Sequence, residues 1–223
     1  MSNFDPASPP LPGTDEFLDF IQTWDVIIIW DKDHTMVDQH NIMRPHLEDV
    51  IVDLAAKYPD WKQVILTENN MASVKDMFSR YPRIEPVFDM LLTEDNYFSR
   101  KVIYRHLRQK GVCWWPWSKK IYRESIRRKR RRVHDLFLGK KVVLIDDLRG
   151  GRIPEHSYCV SCRIWTGEAE HEDELNWPMQ LEPNILRILE NIYRNKSLPR
   201  LRQDHNPSPP GNRNDRSSKW RPA

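Results

Sequence analysis

Residues 26–35 read Val26-Ile27-Ile28-Ile29-Trp30-Asp31-Lys32-Asp33-His34-Thr35. The run opens with consecutive apolar, mostly β-branched side chains and shows no polar alternation. A strand with one wet face alternates; an unbroken run predicts a strand buried on both faces, as in a parallel sheet. Such a strand delivers the next residues of the chain to the carboxyl edge of the sheet, where open α/β folds bind ligands. Carboxylates two residues apart at that edge are equipped to act as nucleophile or metal ligand and as proton carrier.

Two further runs end in the same way. Val64-Ile65-Leu66 runs into Thr67-Glu68-Asn69-Asn70, and Val142-Val143-Leu144-Ile145 into Asp146-Asp147. A fourth strand is predicted over residues 158–165. Helices are predicted between them. Residues 47–58 put Val50, Ile51, Leu54 and Ala55 on one face, after Pro45 as a first-turn residue. Residues 72–81 precede Pro82, residues 119–137 run to Gly139 as a stop, and residues 183–193 carry Ile185, Leu186, Ile188, Leu189 and Ile192. Strands alternating with helices predict an α/β fold of Rossmann-like type, a central parallel sheet flanked by helices. Residues 88–117 fit the alternation poorly and read as a small insertion. Residues 1–14, with Pro6, Pro9, Pro10 and Pro12, read as a flexible tail, and residues 203–223 as a disordered one. The domain is therefore expected over residues 15–202.

Composition narrows the function. The 223 residues carry a formal charge of only +3, so the chain as a whole is not built to coat nucleic acid. The charge is uneven: Arg127-Arg128-Lys129-Arg130-Arg131-Arg132 is unbroken, and residues 168–174 are acidic. No apolar run is long enough to span a bilayer. The start of the sequence lacks a basic flank and an apolar core, so secretion is not expected. Three cysteines, Cys113, Cys159 and Cys162, are too few for a disulfide framework and fit a reducing compartment. Cys159 and Cys162 form one C-x-x-C without a second pair to complete a zinc site, and read as strand cysteines.

The strand ends would converge. Asp31, Asp33, Asp146 and Asp147 cannot all stay ionised so close together without a cation. Mg²⁺ suits oxygen ligands and binds phosphate while it keeps waters. A carboxylate attacking phosphorus gives an aspartyl-phosphate, a second acid serves the leaving oxygen and the water, and a hydroxyl and a lysine complete the cradle. A calcium loop is excluded, because Met36 stands where its glycine is required.

At this point a resemblance carries further. Asp31-Lys-Asp33-His-Thr35 resembles motif I (D-x-D-x-T) of the haloacid dehalogenase-like phosphohydrolases, Thr67 their motif II hydroxyl, and Asp146-Asp147 their motif IV. Arg44-Pro45-His46-Leu47 is similar to the R-P-H-L segment of the FCP/SCP-type phosphatases, the NLI-interacting-factor-like family. Asp146-Asp147-Leu-Arg-Gly-Gly-Arg-Ile-Pro, then Ile164-Trp165-Thr-Gly167 and Asp173-Glu174-Leu175, resemble its closing segment. The resemblance covers residues 26–201, with a poor middle.

The resemblance implies a Mg²⁺-dependent phosphatase acting on phosphoserine or phosphothreonine proteins, with the tail of RNA polymerase II as first substrate. It implies Asp31 as nucleophile and metal ligand. Asp33 would be the general acid/base, its backbone carbonyl on the metal. Thr67 would bind the phosphoryl group, and Asp146 or Asp147 or both the metal. Lys119 fits the motif III lysine, with Lys120 and Lys101 as rivals. Such an enzyme is expected in the nucleus or cytoplasm. The alternatives are a phosphatase for nucleotides or nucleic-acid ends, and a binding module on a dead site. Lys32 and His34 depart from the family, which usually has an apolar residue and Glu there. His34 reads as a solvated loop histidine, though its titration near neutrality could shift the pH dependence.

Two patches remain. Trp114, Trp115 and Trp117 are suited to pack on a Pro-containing phosphopeptide, or to fill a local core beneath the insertion. The basic run fits a nuclear-import signal, a nucleic-acid patch, a solvated helix or a steering field for acidic peptides.

Overall fold

The computed structural model describes residues 9–10, 14–97, 136–137, 139–147, 159–168 and 175–196. Its sheet is five-stranded and parallel throughout, in the order β3-β2-β1-β4-β5. These strands are β1 (Val26–Asp31), β2 (Trp61–Leu66), β3 (Met90–Leu92), β4 (Lys141–Asp146) and β5 (Cys159–Ser161). Among the described residues the helices are α1 (Asp15–Phe20), α2 (Leu47–Lys57), α3 (Met71–Arg80) and α4 (Leu181–Lys196), with short 3₁₀ turns at Glu85–Val87 and Trp177–Gln180.

The apolar run of β1 does what its lack of alternation requires. All its residues are buried, and successive side chains go to opposite faces. Val26, Ile28 and Trp30 join one core with Val143 and Ile145 of β4 and with Leu47, Ile51, Leu54, Val74, Met77, Ile185 and Leu189 of α2, α3 and α4. Ile27 and Ile29 join the other with Val142 and Leu144, and with Phe17, Trp24 and Phe137. Each such side chain removed from water contributes roughly 1.5–3 kcal/mol, so β1 anchors both layers.

The strand order makes β1 central, with chain progression running outward on both sides. The crevice beyond its carboxyl end, between β1 and β4, is the switch point where open α/β sheets bind ligands. Trp30 pairs with Ile145, so Asp31 and Asp146 leave the sheet side by side.

Several expectations are corrected. Residues 90–92, assigned to the insertion, form β3 and pair with β2 through Val64–Met90, Ile65–Leu91 and Leu66–Leu92. The run lacks β-branched residues, and Asp89 and Thr93 bound it closely, so local pattern hides it. The fourth strand, expected over residues 158–165, is confined to Cys159–Ser161; beyond it the backbone turns to brace the β1 loop. Pro45 is not in the first turn of α2; His46 is the N-cap, in the left-handed region with φ 64°. α1 was not expected. Thr14 caps it, Oγ1 accepting from Phe17 N at 3.3 Å, and Phe17 and the nearby Trp24 bury themselves against Phe137. The helix expected over residues 119–137 lies almost wholly outside the described residues. No helix among the described residues is long and apolar enough to cross a membrane.

Candidate active site

Asp31 ends β1, 1% exposed, and its Oδ2 accepts from Thr35 Oγ1 at 3.0 Å. Thr35 Oγ1 in turn accepts from the backbone N of Asp147 at 2.9 Å. One buried hydroxyl thus ties the end of β1 to the end of β4. Carboxylate oxygens of Asp31, Asp146 and Asp147 lie within 4.8 Å of one another. Asp146 is fully buried. Like charges at this spacing out of water repel strongly, and a hard divalent cation is the partner an all-oxygen donor set favours.

Asp33 projects elsewhere. Its Oδ2 accepts from Thr67 Oγ1 at 2.5 Å, and its Oδ1 from Asn69 Nδ2 at 2.8 Å and from Lys32 Nζ at 3.1 Å. Thr67 is presented by the end of β2. Its N–H donates to Leu92 O at 2.9 Å, and its hydroxyl also accepts from Asn69 N at 3.0 Å. The site therefore has two halves: a carboxylate cluster on the β1–β4 side, and an acid–hydroxyl pair on the β1–β2 side.

The loop between the halves is held by its own backbone. Met36 N and Val37 N both donate to Lys32 O, His34 N donates to Val37 O, and Arg44 N donates to Met36 O. His34 and Asn41 take left-handed φ of 63° and 59°. His34 is not the solvated loop residue expected. Its Nδ1 lies 3.2 Å from Trp165 O, and because a carbonyl only accepts, Nδ1 carries the proton; its own carbonyl accepts from Trp165 N at 2.7 Å.

Residues from the R-P-H-L and W-x-G segments brace this loop. The buried Arg44 donates from Nε to Thr35 O at 3.3 Å and from Nη2 to Arg163 O at 2.6 Å. Its guanidinium lies 5.3 Å from the Trp165 ring centroid and 4.8 Å from that of Trp177. Trp165 Nε1 donates to Ile42 O at 3.0 Å. Gly167 has φ 97°, and a Cβ there would stand 2.5 Å from Asp38 Oδ2. That carboxylate is needed where it is, because its Oδ1 accepts from His40 N and Ile42 N, each at 2.8 Å.

Of the C-x-x-C pair, Cys162 is not a thiolate. Cys159 lies on β5 and Cys162 just past it, and both are free thiols. Burial pushes the Cys162 thiol up to about 12, against the opposing pull of Arg44 and a hydrogen bond with Thr35, with Asp147 and Asp31 raising it further. It stays neutral at physiological pH.

Of the residues expected at the site, Asp31, Asp33, Thr67, Asp146 and Asp147 come together at one edge. Lys119, Lys120, Lys101, Trp114, Trp115, Trp117 and the basic run at residues 127–132 lie outside the described residues. Asn69 and Asn41 were not singled out beforehand, and Arg44 and Gly167 were quoted only as parts of segments that carry the resemblance, without a role. Asn69 was visible in the polar tail of the second strand run. Asn41 left no such mark, because its partnership with Lys32 is set by how the loop folds back on itself. No family model matches this chain, and no curated protein matches it.

Proposed function

We propose that the chain is a Mg²⁺-dependent phosphomonoester hydrolase that works through an aspartyl-phosphate on Asp31. The observation that carries this reading is the buried cluster of Asp31, Asp146 and Asp147 oxygens within 4.8 Å, with the Asp33–Thr67 pair at its side. The donor set fits Mg²⁺: it is all oxygen, and two of its three members are almost fully buried. Asp31, Asp146 and Asp147 would hold the ion, with the Asp33 carbonyl implied by the family resemblance. An ion held there would offset the phosphoryl charge that the carboxylates otherwise repel.

The residues then divide the work. Thr35 holds Asp31 Oδ2 and orients the carboxylate for attack on phosphorus. As the ester P–O bond breaks, Asp33 gives a proton to the leaving oxygen; it later takes one from the water that hydrolyses the aspartyl-phosphate. The Thr67 hydroxyl turns from Asp33 to a phosphoryl oxygen. Arg44 and Gly167 keep the loop that presents these groups in one conformation.

By the same resemblance the substrate class is phosphoserine or phosphothreonine protein, with the RNA polymerase II tail as first candidate, in the nucleus or cytoplasm. The deciding assay is turnover of an aryl phosphate with Mg²⁺ or chelator, by wild type and Asp31→Asn. Metal-dependent turnover by wild type alone is expected. Substantial turnover by Asp31→Asn would sink the covalent route, and an inactive wild type under every divalent metal would sink the enzyme. Phosphoserine peptides assayed beside nucleotides and 3′-phosphate nucleic-acid ends then decide the substrate class.

A further inference from the structure

We propose that Lys32 is a positioning residue for Asp33, and that with Asn69 it selects the carboxylate oxygen that carries the catalytic proton. The inference rests on the phosphatase reading above. Lys32 is 1% exposed, and a buried ammonium demands fixed partners. Its Nζ donates to Asp33 Oδ1 at 3.1 Å and to Asn41 Oδ1 at 2.7 Å. Asn69 Nδ2 donates to the same Asp33 Oδ1 at 2.8 Å. The other oxygen, Oδ2, accepts from Thr67 Oγ1 at 2.5 Å.

The two oxygens are therefore held differently. Oδ1 is gripped by two nitrogen donors: the Lys32 ammonium, held in turn by Asn41, and the amide of Asn69, whose backbone is held by Thr67 and Glu94. Oδ2 is gripped by a hydroxyl, which rotates freely about its C–O bond. When that hydroxyl turns to a phosphoryl oxygen, Oδ2 is released and Oδ1 stays pinned. Oδ2 is then the oxygen that hands a proton to the leaving oxygen and accepts one from water. Lys32 is itself pinned from behind: Asn41, at φ 59°, donates from Nδ2 to Asp76 Oδ2 on α3 at 2.6 Å. A polar chain Asp76–Asn41–Lys32–Asp33 thus runs from a helix to the proton carrier.

The test compares the whole protein as wild type, Lys32→Met and Lys32→Arg on phenyl phosphate and 2,4-dinitrophenyl phosphate with Mg²⁺. kcat/KM reports the steps through phosphoenzyme formation. Phenolate needs a proton to leave and dinitrophenolate does not, so only the first ester senses Asp33. General acid catalysis is worth about 10²–10⁴-fold, and misplacing the acid should forfeit about 30-fold of it on phenyl phosphate but under about 3-fold on the dinitrophenyl ester. Lys32→Arg should recover part of the loss. Equal losses on both esters overturn the proposal, because a merely structural lesion does not sense the leaving group. Crystal structures give a reading without turnover: in Lys32→Met the Asp33 carboxylate should leave Thr67 and Asn69, and an unmoved carboxylate overturns the proposal. A wild type inactive on every ester defeats the phosphatase reading instead, and the crystal comparison then decides the positioning alone. Should Lys32→Met fail to fold, Asn41→Gly keeps the left-handed backbone, removes the amide that holds Lys32, and is read by the same two measurements.

Discussion

The two edges of the sheet treat charge in opposite ways. At the amino edge Lys141 opens β4, 8% exposed, and donates to Asp25 Oδ2 and to Tyr193 Oη, each at 2.5 Å. Its ammonium also lies 4.1 Å from the Tyr193 ring centroid. Burial works against that charge, yet the hydrogen bonds to Asp25 and Tyr193 outweigh it and the Lys141 pKa is raised. At the carboxyl edge three carboxylates gather within 4.8 Å, Asp31 and Asp146 at the ends of fully buried strands and the half-buried Asp147 just past β4. The first arrangement satisfies a charge and supports the fold. The second concentrates like charge, which is the usual mark of a site kept for chemistry.

Removing one charge from each edge should therefore have opposite effects. Asp31→Asn should lower aryl phosphate turnover by about three orders of magnitude or more, since the nucleophile is lost. In chelator it should also raise unfolding stability by about 1 kcal/mol, because a like-charge repulsion is relieved. Urea titration beside the kinetic assay checks both; a variant both active and less stable would break the comparison. Mg²⁺ should stabilise wild type more than Asp31→Asn, read as a shift in melting temperature.

Gly167→Ala tests the bracing of the carboxyl edge. A side chain at φ 97° that meets Asp38 Oδ2 at 2.5 Å should cost about 2–3 kcal/mol and lower kcat as the loop over residues 38–42 loosens. Equilibrium unfolding and kinetics on the same preparation separate these losses.

Lys141→Met should cost about 2 kcal/mol by removing hydrogen bonds to a charged group, with turnover unchanged. A loss of activity at full stability would show that the edges are coupled.

The smallest effect lies away from both edges. Glu182 accepts from Lys57 and Tyr58, which hold its carboxyl below its ordinary value of 4.5. A carboxyl depressed in the folded state adds stability above its unfolded pKa, and that share is lost as pH falls through the folded one. Glu182→Gln should therefore lose less melting temperature than wild type between pH 7 and pH 3. Both partners are substantially exposed, so the difference should be slight and should shrink in high salt.

Much of this architecture was legible beforehand. The apolar runs at β1 and β4 marked strands of a parallel sheet, because a strand buried on both faces has no solvent side for polar alternation. The polar residues that close β1, β2 and β4 named the site, because a parallel sheet carries all its strand ends to one edge. β3 was not legible, since three residues at a sheet edge, without β-branching, make no period. The shortness of β5 was not legible either. The segment beyond it is apolar enough to read as strand, but Trp165 commits its backbone and indole N–H groups to His34 and Ile42.

The residue order alone determined the α/β alternation, the burial of β1 on both faces and the acidic character of its carboxyl edge. These come from burial periodicity, which a local window records. Tertiary packing decided how the carboxylates divide: Asp31 with Asp146 and Asp147, and Asp33 with Thr67, Asn69 and Lys32. It also decided that Arg44 braces the first loop by tying it to Arg163 and Trp165, and that Gly167 packs there from a distant stretch of chain. Side-chain partnership across more than a hundred residues depends on where every layer comes to rest, and no local pattern encodes that.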